Sequence, residues 1–254
     1  MRFRKGLHVL LVIGALLVAS CLAMADPIDP FNTRPVTVGT GDLPSLQTIL
    51  DNIYGTGLVS AVNDQQVAGM WALPTPLPSQ IGPVLRFEVA GNDYLNQFGL
   101  WTATDTAGPI TLLPVFFGLA APNCGATLWF SGGTAVSITD PSGCGAGVNT
   151  GVWVNSGINP YSFGFYLMNQ QDDSIFYTVD QLNGGKPQAL AYLGAGGVWT
   201  LAFEDLPYAG ADKDYNDQVV TVESIVPVPE PATLTLLGTG LIGLAGLVRR
   251  KLKK

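Results

Sequence analysis

Short apolar runs separated by Gly, Pro, Asn and Asp fill the middle of this 254-residue chain. Such a pattern is typical of short strands joined by tight turns. We predict strands at residues 84–89, 98–103, 110–117, 127–130, 151–155, 162–168, 174–179, 189–193, 198–203 and 218–225. Many short strands with frequent turn signals favour a β-sandwich or a jelly roll. We therefore expect an all-β domain over residues 61–226.

One short helix is predicted ahead of these strands, at residues 44–54. Its apolar residues recur at helical spacing on one face: Leu46, Ile49, Leu50 and Ile53. Asp42 stands where a capping side chain is expected, and Gly55 follows the last turn, where glycine commonly ends a helix. Residues 26–60 are therefore expected to form an N-terminal segment that contains this helix.

Residues 1–25 have the three parts of a secretory signal peptide. A positive start at residues 2–5 precedes an apolar run at residues 7–18, and residues 23–25 form a small-x-small cleavage site. The apolar run falls short of the roughly 20 residues that a spanning helix needs, which disfavours an uncleaved anchor. The four residues that end at Cys21 also fit a lipoprotein box, so lipidation of Cys21 stays open.

The other end of the chain carries a second membrane-directed signal. Residues 232–248 are free of charge and of proline, and predict a transmembrane helix that is slightly short. The basic tail at residues 249–254 favours the cytoplasmic side. The body of the protein is therefore expected outside the inner membrane.

The order of features at this end resembles the PEP-CTERM sorting signal. Pro229, Glu230 and Pro231, within a linker at residues 227–231, come before the apolar helix and the basic tail. The resemblance implies a precursor that is held in the inner membrane through residues 232–248 until an exosortase processes it. It also implies a bacterium that builds extracellular polysaccharide or biofilm matrix. A plain single-pass anchor is the alternative.

The exported body is strongly acidic. Between residues 26 and 225 the cations are Arg34, Arg86, Lys186 and Lys213, whereas every acidic residue of the chain's 19 except Glu230 lies there. Such a surface repels nucleic acid and anionic lipid and suits metal cations. No nucleic-acid partner is therefore expected.

The two cysteines of the mature chain, Cys124 and Cys144, most simply pair in an oxidising compartment. A disulfide bond between them would stabilise the fold by roughly 3 kcal/mol in the chain-entropy model. A reactive or metal-binding thiol pair is the alternative. It lacks the support of a CxxC motif or of a nearby histidine.

Carboxylates are concentrated between the last two predicted strands. Asp212, Asp214 and Asn216 are spaced as at the opening of an EF-hand, but the glycine and the twelfth-position glutamate of that motif are missing. Because His8 in the signal peptide is the chain's one histidine, the ligands of the mature protein are oxygens, which favours Ca²⁺. The predicted metal ligands are Glu204, Asp205, Asp212, Asp214, Asn216 and Asp217. The alternative is a solvated loop of turn-forming residues.

The stretch FEDLPYAGADKDYNDQVVTVESI, at residues 203–225, resembles the C-terminal signature of an uncharacterised domain family. Members occur in exported bacterial proteins, often with a PEP-CTERM tail. The likeness extends to residues 163–192 and 91–101. It implies a β-rich extracellular module with a calcium site and no assigned reaction.

Catalysis is not expected. A mature chain without histidine holds no Ser-His-Asp or Cys-His site, and no Walker loop or dinucleotide-binding motif is present. Glycoside hydrolysis needs only two carboxylates. Glu88 and Glu223 are the glutamates outside the acidic stretch and the sorting signal, and both fall in predicted strands.

We therefore expect an exported cell-surface or matrix protein with a calcium-stabilised β-domain and a structural or adhesive role. The alternative is a carbohydrate-binding module that acts on extracellular polysaccharide, for which three exposed, coplanar aromatic rings would be the sign. The available aromatic residues are Trp71, Trp101, Trp129, Trp153, Trp199, Tyr161, Tyr166 and Tyr208.

Overall fold

A computed structural model describes residues 34–41, 43–66, 69–74, 79–88, 96–103, 108–118, 120, 122–140 and 151–228. The predicted signal peptide, the Pro-Glu-Pro motif, the apolar segment 232–248 and the basic tail lie outside these residues, and so does Cys144. The predicted disulfide bond therefore stays a prediction. Within the described ranges, no helix is both long and apolar enough to cross a membrane.

The described residues form one α-helix and a series of short strands. Helix α1 spans Leu46–Tyr54. The strands are β1 Trp71–Ala72, β2 Ser79–Glu88, β3 Asn96–Thr102, β4 Thr111–Phe116, β5 Thr127–Gly132, β6 Ala135–Thr139, β7 Val154–Asn155, β8 Gly164–Asn169, β9 Ser174–Tyr177, β10 Ala189–Leu193, β11 Trp199–Phe203, β12 Gln218–Glu223 and β13 Val226–Pro227. Two short 3-10 helices lie at Asp180–Asn183 and Ala195–Gly197.

The expected all-β class is confirmed, and each predicted strand overlaps an observed one. Strands β1, β6 and β13 were not predicted. Strands β1 and β13 are two residues long, which is too short to show a sequence pattern. Strand β6 follows β5 through a tight turn at Gly133 and Thr134, where Gly133 has φ 56°. Turns of this kind depend on glycine because other residues rarely adopt positive φ.

The strands form two large antiparallel sheets and one small one. The larger sheet has the order β10-β11-β12-β2-β5-β6-β7, and the second has the order β4-β3-β8-β9. Strands β1 and β13 pair by themselves. The particular sandwich or jelly-roll type stays a prediction.

The two large sheets place apolar side chains in one hydrophobic cluster. The ring of Phe98 on β3 lies 6.0 Å from that of Phe203 on β11, between their centroids, and 5.6 Å from that of Phe165 on β8. Trp71 lies 5.3 Å from Phe165 and 5.8 Å from Trp199. Fully burying side chains of this size stabilises a fold by about 1.5–3 kcal/mol each. The rings therefore hold β3 and β8 against β11.

Helix α1 covers the opposite face of the larger sheet. Leu46, Ile49 and Leu50 pack with Tyr192, Ala202 and Val219 in a second cluster. The predicted cap was wrong, since the side chain of Ser45 accepts the backbone N–H of Thr48 at 3.3 Å and the helix begins two residues later than expected. Gly55 ends the helix as predicted. Asp42 lies outside the described residues.

Strand β11 is consequently buried along its whole length, since one face meets the second sheet and the other meets α1. The expected alternation is confirmed: Trp199, Leu201 and Phe203 all point into the larger cluster. The chain leaves this buried strand directly at Glu204. The next residues are therefore held at the end of a rigid pair of strands.

Candidate metal centre

The acidic loop, defined as residues 204–217, joins β11 to β12. These strands are antiparallel neighbours, and Phe203 pairs with Gln218 at the point where the loop begins and ends. Glu204 and Asp217 therefore leave the same end of the sheet. The prediction that the acidic stretch connects two adjacent strands is confirmed.

Two residues of the acidic loop have left-handed backbone conformations. Lys213 has φ 63° and Tyr215 has φ 55°. For residues other than glycine this conformation costs roughly 1–2 kcal/mol and persists where surrounding contacts enforce it. Tyr215 is buried in the second cluster, between α1 and the larger sheet. Its hydroxyl donates to the carbonyl of Pro187 at 3.0 Å, which fixes this part of the loop.

The Glu204 carboxylate organises the centre of the loop. The backbone N–H of Tyr215 donates to Glu204 Oε1 at 2.6 Å, and that of Lys213 donates to Oε2 at 3.3 Å. The N–H of Asp214 and of Asn216 donate in turn to Asp212 Oδ1 at 3.4 Å and to Asp214 Oδ1 at 3.3 Å. The loop thus curls around its own carboxylates.

The carboxylates of Glu204, Asp212 and Asp214 form a group that we call the trio. One oxygen from each lies within 4.8 Å of the others. Asp212 is exposed, whereas Glu204 is 1% exposed and Asp214 is 2% exposed. Burial raises the pKa of the Glu204 carboxyl to about 7, and the nearby charges of Asp212 and Asp214 add to the rise. The trio therefore holds negative charge at a place where water screens it poorly.

The segment before α1 packs directly on the trio. The backbone N–H of Gly39 donates to the carbonyl of Lys213 at 2.6 Å. A side chain at Gly41 would overlap the Oδ2 atoms of Asp212 and Asp214. Sequence reasoning missed both glycines, because the contact joins parts of the chain that are far apart in sequence.

Asn216 adds a further link between the acidic loop and the helix. Its side-chain amide donates to the carbonyl of Pro44 at 3.1 Å, just ahead of the capping residue of α1. The end of β11 and the acidic loop therefore meet the segment before α1 here, through Gly39, Gly41 and Pro44.

Asp205 and Asp217 form a separate pair. The backbone N–H of Asp205 donates to Asp217 Oδ2 at 2.9 Å. Burial raises the pKa of both carboxyl groups, and the charge of Asp205 raises that of Asp217 further. The six predicted ligands are thus divided into the trio, the pair and Asn216 between them.

Two asparagines at the end of the second sheet reach the Asp205–Asp217 pair. Asn96 Nδ2 donates to Asp205 Oδ2 at 3.3 Å, and Asn169 Nδ2 donates to the carbonyl of Asp205 at 3.2 Å. Asn96 and Asn169 face each other across β3 and β8. Sequence reasoning missed both, because the contact joins residues more than 30 positions apart along the chain.

The two glutamates considered for glycoside hydrolysis are far apart in the fold. Glu88 pairs with Gln218 at one end of β12, and Glu223 pairs with Gly82 at the other. Five residues of strand separate these positions by about 17 Å. The two carboxyl groups of glycosidases lie roughly 5–10 Å apart. The strand register therefore gives no support to catalysis by this pair.

The aromatic residues divide between core and surface. Trp71, Trp101, Tyr166 and Trp199 are buried, which fits the dominance of large aromatics in β interiors. Trp129, Trp153 and Tyr161 are exposed. Tyr208 is partly buried and lies beneath the ammonium group of Lys213, which is 4.7 Å from its ring centroid.

The C-terminal end of the chain matches a known family model. Residues 227–251 match the PEP-CTERM protein-sorting motif. The resemblance noted in the sequence is confirmed, and the motif marks an exported protein made as a membrane-anchored precursor for an exosortase.

The second match concerns the folded part. Residues 155–225 match the family described as domain of unknown function DUF4114. This region includes β8 to β12 and the whole acidic loop. The FEDL and DKDYND segments lie within it, and their role as a family signature stays a prediction. No curated protein and no solved structure matches the chain.

Proposed function

We propose that this exosortase-sorted protein serves a structural or adhesive, non-catalytic role at the cell surface or in the matrix, with its β-domain stabilised by Ca²⁺. The observation that carries the proposal is the trio, in which three carboxylates from Glu204, Asp212 and Asp214 converge within 4.8 Å. Two of the three are buried.

Three carboxylates gathered at one place carry a cost in free energy. Carboxylates in a poorly screened setting repel one another, and burying them without compensation is strongly unfavourable. A divalent cation removes both costs by binding all three. The donor set is entirely oxygen, which suits Ca²⁺, and carbonyls or water complete its shell of six to eight ligands.

The consequence of binding is mechanical. The trio joins the end of β11 to the acidic loop, and Gly41 brings the N-terminal segment against it. An ion held there fixes three chain segments in one place. Extracellular calcium modules bind with dissociation constants of roughly 10⁻⁴ to 10⁻³ M, which suits a structural ion outside the cell.

Calorimetric unfolding of the full chain tests this proposal. We expect EDTA to lower the melting temperature and excess CaCl₂ to restore it. The double variant Asp212→Ala/Asp214→Ala should lose the response, whereas Glu223→Gln, an exposed carboxylate at the far end of β12, should keep it. A wild-type chain that ignores calcium, or a double variant that still responds, rejects the proposal.

A second candidate function, binding of extracellular polysaccharide, is favoured by a row of residues across β5, β6 and β7. Trp129 pairs with Ser137, and Val136 pairs with Val154. Trp153 directly precedes Val154 on the chain, and Ser137 directly follows Val136. Trp129 is 43% exposed and Trp153 is 50% exposed, whereas Ser137 between them is buried. Two tryptophans thus flank a small polar residue.

This row has the composition of a sugar platform. Trp129 lies on β5 and Trp153 directly precedes β7, and these strands are two strand spacings apart, or about 10 Å. Aromatic faces offer apolar area while leaving polar groups free at the edges, which matches the two kinds of surface on a pyranose ring. Affinity electrophoresis in gels that contain a neutral polysaccharide tests the idea. Trp129→Ala/Trp153→Ala should abolish retardation, and Tyr161→Ala, another exposed aromatic, should not.

A further inference from the structure

The Asp205–Asp217 pair is not part of the trio, although the charges of Glu204 and Asp214 act on Asp217, and it lies at the end of both large sheets. Asp205 and Asp217 lie in the acidic loop close to the ends of β11 and β12, so both stand at one end of the larger sheet. Asn96 opens β3 of the second sheet, and its amide nitrogen donates to Asp205 Oδ2 at 3.3 Å. The carboxylate pair therefore sits where the two sheets meet.

A second observation points to a ligand at this place. Asn96 is 1% exposed, and among the described residues its side-chain oxygen has no hydrogen-bond partner. Native proteins rarely leave such an oxygen unsatisfied. Because the amide is planar, this oxygen lies beside the nitrogen that contacts Asp205. It therefore lies close to the Asp205 carboxylate.

Asn169 completes the surroundings. It pairs with Asn96 across β3 and β8, and its amide nitrogen donates to the carbonyl of Asp205 at 3.2 Å. Its own side-chain oxygen accepts the backbone N–H of Gln171 at 2.9 Å. Asn169 thus orients Asp205, while the oxygen of Asn96 remains available.

We infer that Asp205, Asp217 and Asn96 form a second site for a hard divalent cation, distinct from the trio. Two carboxylates and an amide oxygen are the ligand types that Ca²⁺ takes in proteins. An ion there would satisfy the Asn96 oxygen and relieve the repulsion between the two carboxylates. It would also tie the second sheet to the larger one. The choice of Ca²⁺ as the ion rests on the proposed function. The assignment of Asp205, Asp217 and Asn96 as ligands does not.

Native mass spectrometry of the metal-depleted full chain, titrated with CaCl₂, tests the inference. We expect two bound ions in the wild type, one in Asp205→Asn/Asp217→Asn and one in Asp212→Asn/Asp214→Asn. Asn96→Ala should weaken one of the two binding steps at least tenfold. Circular dichroism identifies the variants that fold.

The outcomes separate the two proposals. One bound ion in the wild type, lost in Asp212→Asn/Asp214→Asn and kept in Asp205→Asn/Asp217→Asn, overturns the second site and leaves the trio intact. No bound ion in any chain overturns both. If Asp205→Asn/Asp217→Asn does not fold, an unchanged two-step titration in Asn96→Ala overturns the second site.

Discussion

The backbone N–H of Tyr215 donates a 2.6 Å hydrogen bond to Glu204 Oε1. Tyr215 has φ 55°, a conformation that a bulky residue rarely adopts without strong local contacts. The bond therefore connects the buried carboxylate at the end of β11 to the strained part of the acidic loop.

Replacing Glu204 with glutamine should destabilise the loop. The amide retains one acceptor oxygen but presents a donor to the N–H of either Tyr215 or Lys213, so one hydrogen bond is lost. Hydrogen bonds to charged groups contribute about 1.5–3 kcal/mol. We expect Glu204→Gln to lower the free energy of unfolding in calcium by about that amount, measured by urea denaturation. Glu223→Gln is the control, and equal stability of the two variants would contradict the prediction.

Stability without metal should fall as the pH rises. The pKa of Glu204 is raised to about 7 by burial, and burial also raises the pKa of Asp205 and of Asp217. The folded state therefore binds protons more tightly than the unfolded chain, and unfolding releases them. This contribution to the stability is fully present below about pH 4, where such carboxyl groups ordinarily titrate in an unfolded chain. It is lost as the pH rises past about 7.

The measurement compares melting temperatures at pH 5 and pH 8 at matched ionic strength. We expect the metal-depleted chain to melt at a lower temperature at pH 8, by several degrees. Excess calcium should reduce or reverse the difference, because it binds the deprotonated carboxylates. Glu204→Gln should flatten the metal-free profile, since the substitution removes one titrating group. A metal-free chain that is more stable at pH 8 than at pH 5 would refute the assignment.

The strands and the position of the acidic loop were predictable from the sequence. Alternation places Trp199, Leu201 and Phe203 on one face of β11, and the charged stretch that follows cannot continue a buried strand. These are local properties. Strand β6, Ala135–Thr139, was missed although Val136 and Ile138 alternate with Ser137; its turn from β5 is only two residues long.

The partners of the site were not predictable, because they depend on long-range packing. Nothing near Gly41 in the sequence shows that its backbone meets Asp212 and Asp214, more than 160 residues later. The contact of Asn96 with Asp205 likewise requires two sheets to meet. The sequence identifies which side chains bind a cation well, but only the fold divides them into the trio and the Asp205–Asp217 pair.

The free energy of unfolding should depend far more on the buried aromatic residues than on the exposed ones. Phe98 contacts Phe116, Phe165 and Phe203 and is fully buried. Replacing a large buried aromatic residue with alanine costs about 3–5 kcal/mol, because a cavity remains. We expect Phe98→Ala to lower the free energy of unfolding by about 3–5 kcal/mol. Trp129→Ala should lower it by less than about 1 kcal/mol. Urea denaturation measures both, and similar losses would show that Trp129 is a packing residue.

Gly41→Ala tests whether the N-terminal segment closes over the trio. An added Cβ would overlap the carboxylate oxygens of Asp212 and Asp214, so either the segment or the two side chains must move. Overpacking of this kind costs about 1–3 kcal/mol. We expect the calcium affinity to fall, measured by isothermal titration calorimetry, together with the melting temperature. Gly82→Ala is the matched control, because the nearest atom to its added Cβ is 4.0 Å away. An unchanged affinity in Gly41→Ala would show that the trio binds calcium without help from the segment before α1.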